Sequence, residues 1–117
     1  MNINRIIEIV CSDKDYQLDP ECVQWQIRLK KIIYPRQMCH YFAWKYTNET
    51  TAKIGEKIGG REHSTVLHSI KTVMTFCGND KQYLKRFHRI EERIKFELRK
   101  NKATMSTYQE RKLIFAV

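Results

Sequence analysis

Two adjacent glycines, Gly59-Gly60, followed at once by the polar run Arg61-Glu62-His63-Ser64-Thr65, constrain this chain more than any other feature. A glycine pair ends a helix, because the residue just past the last turn takes a positive φ that a Cβ opposes. Apolar residues recur at helical spacing on both sides of the break. Ala52, Ile54 and Ile58 precede it, and Val66, Ile70, Val73, Met74 and Cys77 follow at i, i+4, i+7, i+8 and i+11. The pattern predicts a short helix over 51–58, a tight turn, and a second helix over 62–77 with Ser64, His68, Lys71, Thr72 and Thr75 opposite the apolar stripe. A helix, a turn and a helix that offers polar groups from its N-terminal end is the layout of a helix-turn-helix.

The remaining chain also reads as helix. Ile3, Ile6, Ile7 and Val10 predict an amphipathic helix over 3–11. Asp19-Pro20 is a cap followed by proline at a first helical position, so a short helix near 20–26 is expected. Arg28 to Tyr34 reads as a basic and apolar connector, and Pro35 as the start of a core helix over 35–47 carrying Met38, Phe42 and Tyr46. Tyr41, Phe42, Trp44 and Tyr46 are most simply core. Tyr83, Phe87, Ile90, Ile94 and Leu98 predict a long helix over about 80–100. No β pattern of useful length appears, so the expected class is all-α. Residues 1–100 are expected to form one helical domain with the helix-turn-helix at about 51–77. Residues 101–117 are expected to be a tail, polar until Leu113-Ile114-Phe115-Ala116-Val117, an ending that fits a strand, an oligomer contact or a frayed end.

A hydrophobic share of 42% and an aromatic share of 11% supply a real core and exclude a fully disordered chain. The formal charge is +9 and unevenly placed. Residues 1–25 hold Arg5 and Lys14 against Glu8, Asp13, Asp15, Asp19 and Glu21. Residues 26–61 hold Arg28, Lys30, Lys31, Arg36, Lys45, Lys53, Lys57 and Arg61 against Glu49 and Glu56. A second basic block fills the last third. A polyanion partner is the leading inference.

Cys11, Cys22, Cys39 and Cys77 form no CxxC pair and are expected to be free core thiols in a reducing, cytoplasmic setting. No signal peptide is expected, and no apolar run reaches the ~20 residues needed to cross a bilayer. His63 and His68 stand five apart, about 140° around a helix, so they do not make a His-x-x-x-His metal pair. Cys39 and Ser64 lack an orienting group for nucleophilic work. No enzyme activity, metal or cofactor is expected.

The run Pro35-Arg36-Gln37-Met38, then Thr47-Asn48, then Ile54-Gly55, then Gly59-Gly60-Arg61-Glu62-His63-Ser64-Thr65-Val66-Leu67-His68, resembles the C-terminal DNA-binding domain of the bacterial replication initiator DnaA. The likeness covers roughly residues 3–95. It implies an all-helical, Trp-repressor-like domain whose second motif helix enters the major groove of duplex DNA. By position, it implies base contacts from Glu62, His63 and Ser64, and a minor-groove contact from Arg28. It implies backbone contacts from Arg36, Gln37, Thr47, Asn48, Thr51, Ala52 and Thr65. To these the charge pattern and the helix face add Lys45, Arg61, His68 and Lys71.

The chain departs from that family in ways that bear on its target. The family's Asp is Glu62 here, one methylene longer. Its first Thr is Ser64, which lacks the methyl that packs on a thymine. A family Lys falls on Trp44, with Lys45 next. The family's Pro before Glu-Ile-Gly is Ala52, and that Glu is Lys53. These residues hold no GxxxxGK[ST] phosphate loop, so no nucleotide is expected. The expectation is a stand-alone, sequence-preferring duplex-DNA binder in replication or transcription regulation, bacterial and nucleoid-associated or encoded by a phage or mobile element. Homodimerisation through the C-terminal helix or tail fits a small module. The alternative is an adaptor that keeps the fold and binds an acidic protein or RNA.

Overall fold

In the computed structural model, which describes residues 1–100, each apolar stripe of the sequence becomes the inner face of a helix. The expectations for 101–117 lie outside the described residues. The first helix, α1 (Ile3–Cys11), starts where the Asn2 side chain accepts the Arg5 amide at 2.8 Å, and buries Ile3, Ile6, Ile7, Ile9 and Val10. A short 3-10 helix, Pro20–Gln24, stands where a helix near 20–26 was expected. Asp19 caps it by accepting the Glu21 amide at 2.9 Å.

The central element is α2 (Lys30–Tyr46), which packs against α1, the 3-10 helix, and the two helices of the motif. It begins five residues before the expected start, and Pro35 lies inside it. Proline lacks one amide hydrogen but has a helical φ, so one missing bond can be tolerated near a helix start. The turn ahead of it closes through the Ile32 and Ile33 amides on the Leu29 carbonyl, at 2.9 and 2.8 Å, and buries Ile32. Residues 30–34 are therefore helix rather than connector.

The motif pair follows: α3 (Thr51–Lys57), with the Thr50 hydroxyl accepting the Lys53 amide at 3.2 Å, and α4 (His63–Asn79). Val66, Ile70 and Val73 of α4 are buried and Met74 and Cys77 half-buried, as the stripe predicts. The Asp80 carboxylate accepts the Gln82 and Tyr83 amides and opens α5 (Lys81–Lys100), which buries Tyr83, Phe87, Ile90, Ile94 and Leu98.

The core centres on aromatic rings of α2 and α5. Phe42 stacks on Phe87 with centroids 5.0 Å apart, and Tyr41 meets Phe87 edge-on at 5.4 Å. Full burial of a side chain such as Phe contributes roughly 1.5–3 kcal/mol. Beside the rings, the Lys45 ammonium lies 2.8 Å from Glu91 Oε2, which also accepts the Tyr46 hydroxyl. Cys11, Cys22 and Cys39 are buried, Cys77 is half-buried, and all four are free thiols. Among the described residues, no helix is long and apolar enough to cross a membrane.

Candidate nucleic-acid interface

The turn between α3 and α4 is shaped by three glycines. Gly59 and Gly60 have φ of +84° and +58°, the left-handed region that the sequence assigned to this pair. Gly55 matters for a different reason. A Cβ there would stand 2.3 Å from the Arg61 carbonyl oxygen, and the Arg61 amide donates to the Gly55 carbonyl at 2.7 Å. The turn thus folds back onto α3, which only a bare backbone allows.

Side chains from outside the motif hold this turn in place. The Gln24 amide group donates to the Lys57 carbonyl at 2.9 Å and accepts the Gly59 amide at 2.7 Å. Gln26 donates to the Gly59 carbonyl at 2.7 Å. From α2, the buried His40 donates through Nε2 to the Ile58 carbonyl at 3.2 Å and accepts the Ser69 hydroxyl at Nδ1, 2.8 Å away. Burial lowers the His40 pKa to about 4, so the ring is neutral near pH 7. One imidazole therefore ties α2 to the end of α3 and to α4. Gln24, Gln26, His40 and Ser69 were not singled out from the sequence as functional residues. They belong to no periodic pattern, and their partners are far along the chain.

With the turn set, the start of α4 projects outward. Glu62 is its N-cap residue and makes no side-chain capping bond. Glu62, His63, Ser64, His68 and Lys71 are exposed and Thr65 is half-buried. His63 lies outside the core, although an ideal wheel places it at the edge of the apolar stripe. Leu67, on the same surface, is 45% exposed. The Thr72 hydroxyl lies 3.3 Å from His68 Nε2.

Beside α4 runs a groove of about 280 Å³, lined by Arg28, Ile33, Arg36, Gln37, His40, Arg61, Thr65, His68 and Ser69. Among the described residues, three arginines line it and no carboxylate does. Gln37 Oε1 and Arg61 Nε are buried there without a hydrogen-bond partner. Such orphaned polar atoms are costly unless a ligand completes them. Arg28 stands exposed on the segment leading into α2, and at the start of α3 Asn48 and Ala52 are exposed and Thr51 is half-buried.

Three of the expected backbone contacts are corrected. Arg36 is buried, and its guanidinium donates to the Val23 carbonyl at 2.8 Å and to the Trp25 carbonyl. Burial first, and the nearby Arg61 charge second, lower its pKa. It is a clamp on the chain ahead of α2, and it lends the groove its charge rather than a free hand. Lys45 is 2% exposed and paired with Glu91, because this part of α2 is covered by α5. Thr47 is buried, and its hydroxyl donates back to the Ala43 carbonyl, closing the end of α2.

Residues 3–73 match the family described as "Bacterial dnaA protein helix-turn-helix". The chain is also similar to chromosomal replication initiator proteins DnaA. That of Flavobacterium psychrophilum is 43% identical over 79 residues, 68% of this chain and 16% of the relative. That of Bacteroides fragilis is 35% identical over 95 residues, 81% of this chain and 20% of the relative. That of Lacticaseibacillus casei is 34% identical over 80 residues, 68% of this chain and 17% of the relative. The chain thus spans at most about a fifth of the length of these relatives.

Proposed function

The chain belongs to the bacterial DnaA helix-turn-helix family, and from that premise we propose that it binds duplex DNA with a sequence preference, laying α4 in the major groove. Glu62, His63 and Ser64 read base edges, where a well-made contact discriminates by ~1–3 kcal/mol. Arg28 reaches the adjacent minor groove. Gln37, Arg61, Thr65, His68 and Lys71 hold one stretch of phosphates, and Asn48, Thr51 and Ala52 approach another. Phosphate contacts set the register, and base contacts carry the sequence information.

The observation that carries this reading is the pairing of an exposed α4 start with a groove that holds three arginines, no carboxylate and two unpartnered polar atoms. The biological role that follows is regulation of replication or transcription, by occupying sites that an initiator also uses. A second copy docked through α5 or the residues beyond it would add a half-site.

The test is selection from random duplexes, with binding of the enriched sequence measured at two salt concentrations. Enrichment of one motif, a steep loss of affinity with salt, and loss of preference in His63→Ala are expected. A His63→Ala protein that keeps the same preference would overturn base reading by α4.

A further inference from the structure

Among the described residues five large apolar side chains stand exposed, and three fall in one short run: Trp25 at 47%, Ile27 at 37% and Leu29 at 52%. Scattered exposed apolar residues are ordinary, but a row of them is not. The run is extended at both ends, with φ and ψ of −74° and 146° at Trp25 and −89° and 133° at Leu29. Side chains alternate along an extended chain. Gln26 turns toward Gly59 and Arg28 toward the α2–α4 groove, so the three apolar residues occupy the opposite side, away from that groove.

The backbone of this run is an open edge. An extended residue sends its N–H and C=O to one edge, and the next residue sends its pair to the other. Trp25 and Leu29 turn theirs inward: Arg36 holds the Trp25 carbonyl, and the Leu29 carbonyl receives the first amides of α2. Gln26 and Arg28 therefore turn theirs outward. Among the described residues, neither the amides nor the carbonyls of Gln26, Ile27 and Arg28 have a hydrogen-bond partner. Such an edge is a template for another strand. Arg36 on the Val23 and Trp25 carbonyls, and Gln26 on the Gly59 carbonyl, fix this backbone in advance, so little ordering cost opposes pairing.

The nearby charges select the occupant. Arg28, Lys30 and Lys31 are exposed, none has an ion pair among the described residues, and no acidic residue occurs between Glu21 and Glu49. We propose that residues 25–29 capture an extended acidic segment of another protein by strand addition. The main chain of that segment bonds Gln26 and Arg28. On one face its apolar side chains lie across from Trp25, Ile27 and Leu29; on the other, carboxylates lie beside Arg28, and more of them meet Lys30 and Lys31. A second copy fits poorly. Antiparallel pairing about Ile27 makes the two Arg28 positions diagonal neighbours on one face, about 7–8 Å apart, and like charges there repel. The chain's own Leu113-Ile114-Phe115-Ala116-Val117 follows Arg111-Lys112 and also adds cations.

The experiment displays random decapeptides to the immobilised full chain and measures the enriched peptides by fluorescence anisotropy. Peptides that alternate apolar and acidic residues are expected. N-methylation of alternate peptide amides is expected to abolish binding in one phase of the alternation and spare it in the other. The double variant Ile27→Ser/Leu29→Ser is expected to bind about tenfold more weakly. Both residues are exposed, so its thermal midpoint serves as the folding control. Strand capture is overturned if no peptide is enriched, if the enriched peptides carry no acidic residues, if neither phase of N-methylation matters, or if the variant binds as wild type does. It is also overturned if another occupant claims the row. A wild-type dimer that the variant dissociates in sedimentation assigns it to a second copy. Tighter binding of a synthetic 108–117 peptide assigns it to the chain's own end. A loss of duplex affinity in the variant as large as in Arg28→Ala assigns it to DNA. Failure of the DNA reading looks different: no duplex is enriched, and peptide binding is untouched.

Discussion

The face built by α1 and α5 and the groove between α2 and α4 treat their arginines in opposite ways. On the first, cations are consumed inside the molecule. Arg89 grips the buried Asp13 carboxylate through two bonds of 2.8 and 2.7 Å and reaches Asp15 at 2.9 Å. Arg86 also meets Asp15, at 3.1 Å, Arg5 pairs with Glu97 and Glu8, and Arg93 donates to the Ile9 carbonyl at 3.2 Å. In the groove, Arg28, Arg36 and Arg61 share a lining without any carboxylate. The difference teaches that net charge does not locate a binding surface. Arg86 and Arg89 of the last basic block pair with Asp13 and Asp15 of the acidic N-terminal quarter, whereas the arginines of the groove share a lining that, among the described residues, holds no carboxylate.

The comparison is broken most severely at Lys45. Although it reads in sequence as a phosphate ligand, Lys45→Ala is expected to cost about 3–5 kcal/mol of stability, because it leaves Glu91 charged and buried. Urea unfolding measures this, and the salt dependence of DNA binding by the folded protein should not change. A salt slope reduced by about one unit with normal stability would return Lys45 to the interface.

Acid tests the scaffold behind the groove. Burial first of all lowers the His40 pKa from 6.5 to about 4. The unfolded chain then takes up a proton that the folded chain refuses. Stability is full above pH 6.5 and falls as the pH drops toward about 4, by on the order of 3 kcal/mol. His40→Gln should flatten this limb of a plot of denaturation midpoint against pH, at some cost in stability near neutrality.

On the paired face, Asp13→Asn is expected to cost about 1–3 kcal/mol, since it weakens charged hydrogen bonds at a buried site. Burial pushes the Asp13 carboxyl up, but the Arg89 and Asp15 hydrogen bonds and the Arg89 charge together outweigh it and hold it below its ordinary value. Its contribution is therefore present above about pH 4 and lost as the pH falls further. Thermal melts of the two proteins across acidic pH check this. The smallest effect on stability is expected at Arg61→Ala, since among the described residues Arg61 has no acidic partner to release. Its signature is a drop of about 0.9 in the slope of log affinity against log salt. An unchanged slope would place Arg61 away from phosphate.

The helical class, the apolar stripes and the glycine turn were all legible, because each rests on spacing within one short segment. Val66, Ile70 and Val73 had to share a face whatever they packed against. The start of α2 was misread because Pro35 marks a helix start only by habit, and here buried Ile32 stabilises an extra turn before it. The outward face of α4 was legible in Ser64, His68 and Lys71. Arg36, Lys45 and Thr47 were not, because α2 is covered by neighbours on several sides. No wheel shows which of its polar residues meets a distant carbonyl or carboxylate.

The chain's own order of residues decided where helices run, where the motif turns, and which groups stand at the start of α4, since these depend on neighbours a few positions away. The tertiary structure alone decided which cations remain available. Whether a guanidinium or ammonium faces solvent, a carbonyl or a buried carboxylate depends on what another helix brings within about 3 Å, and the intervening residues carry no local trace of that meeting.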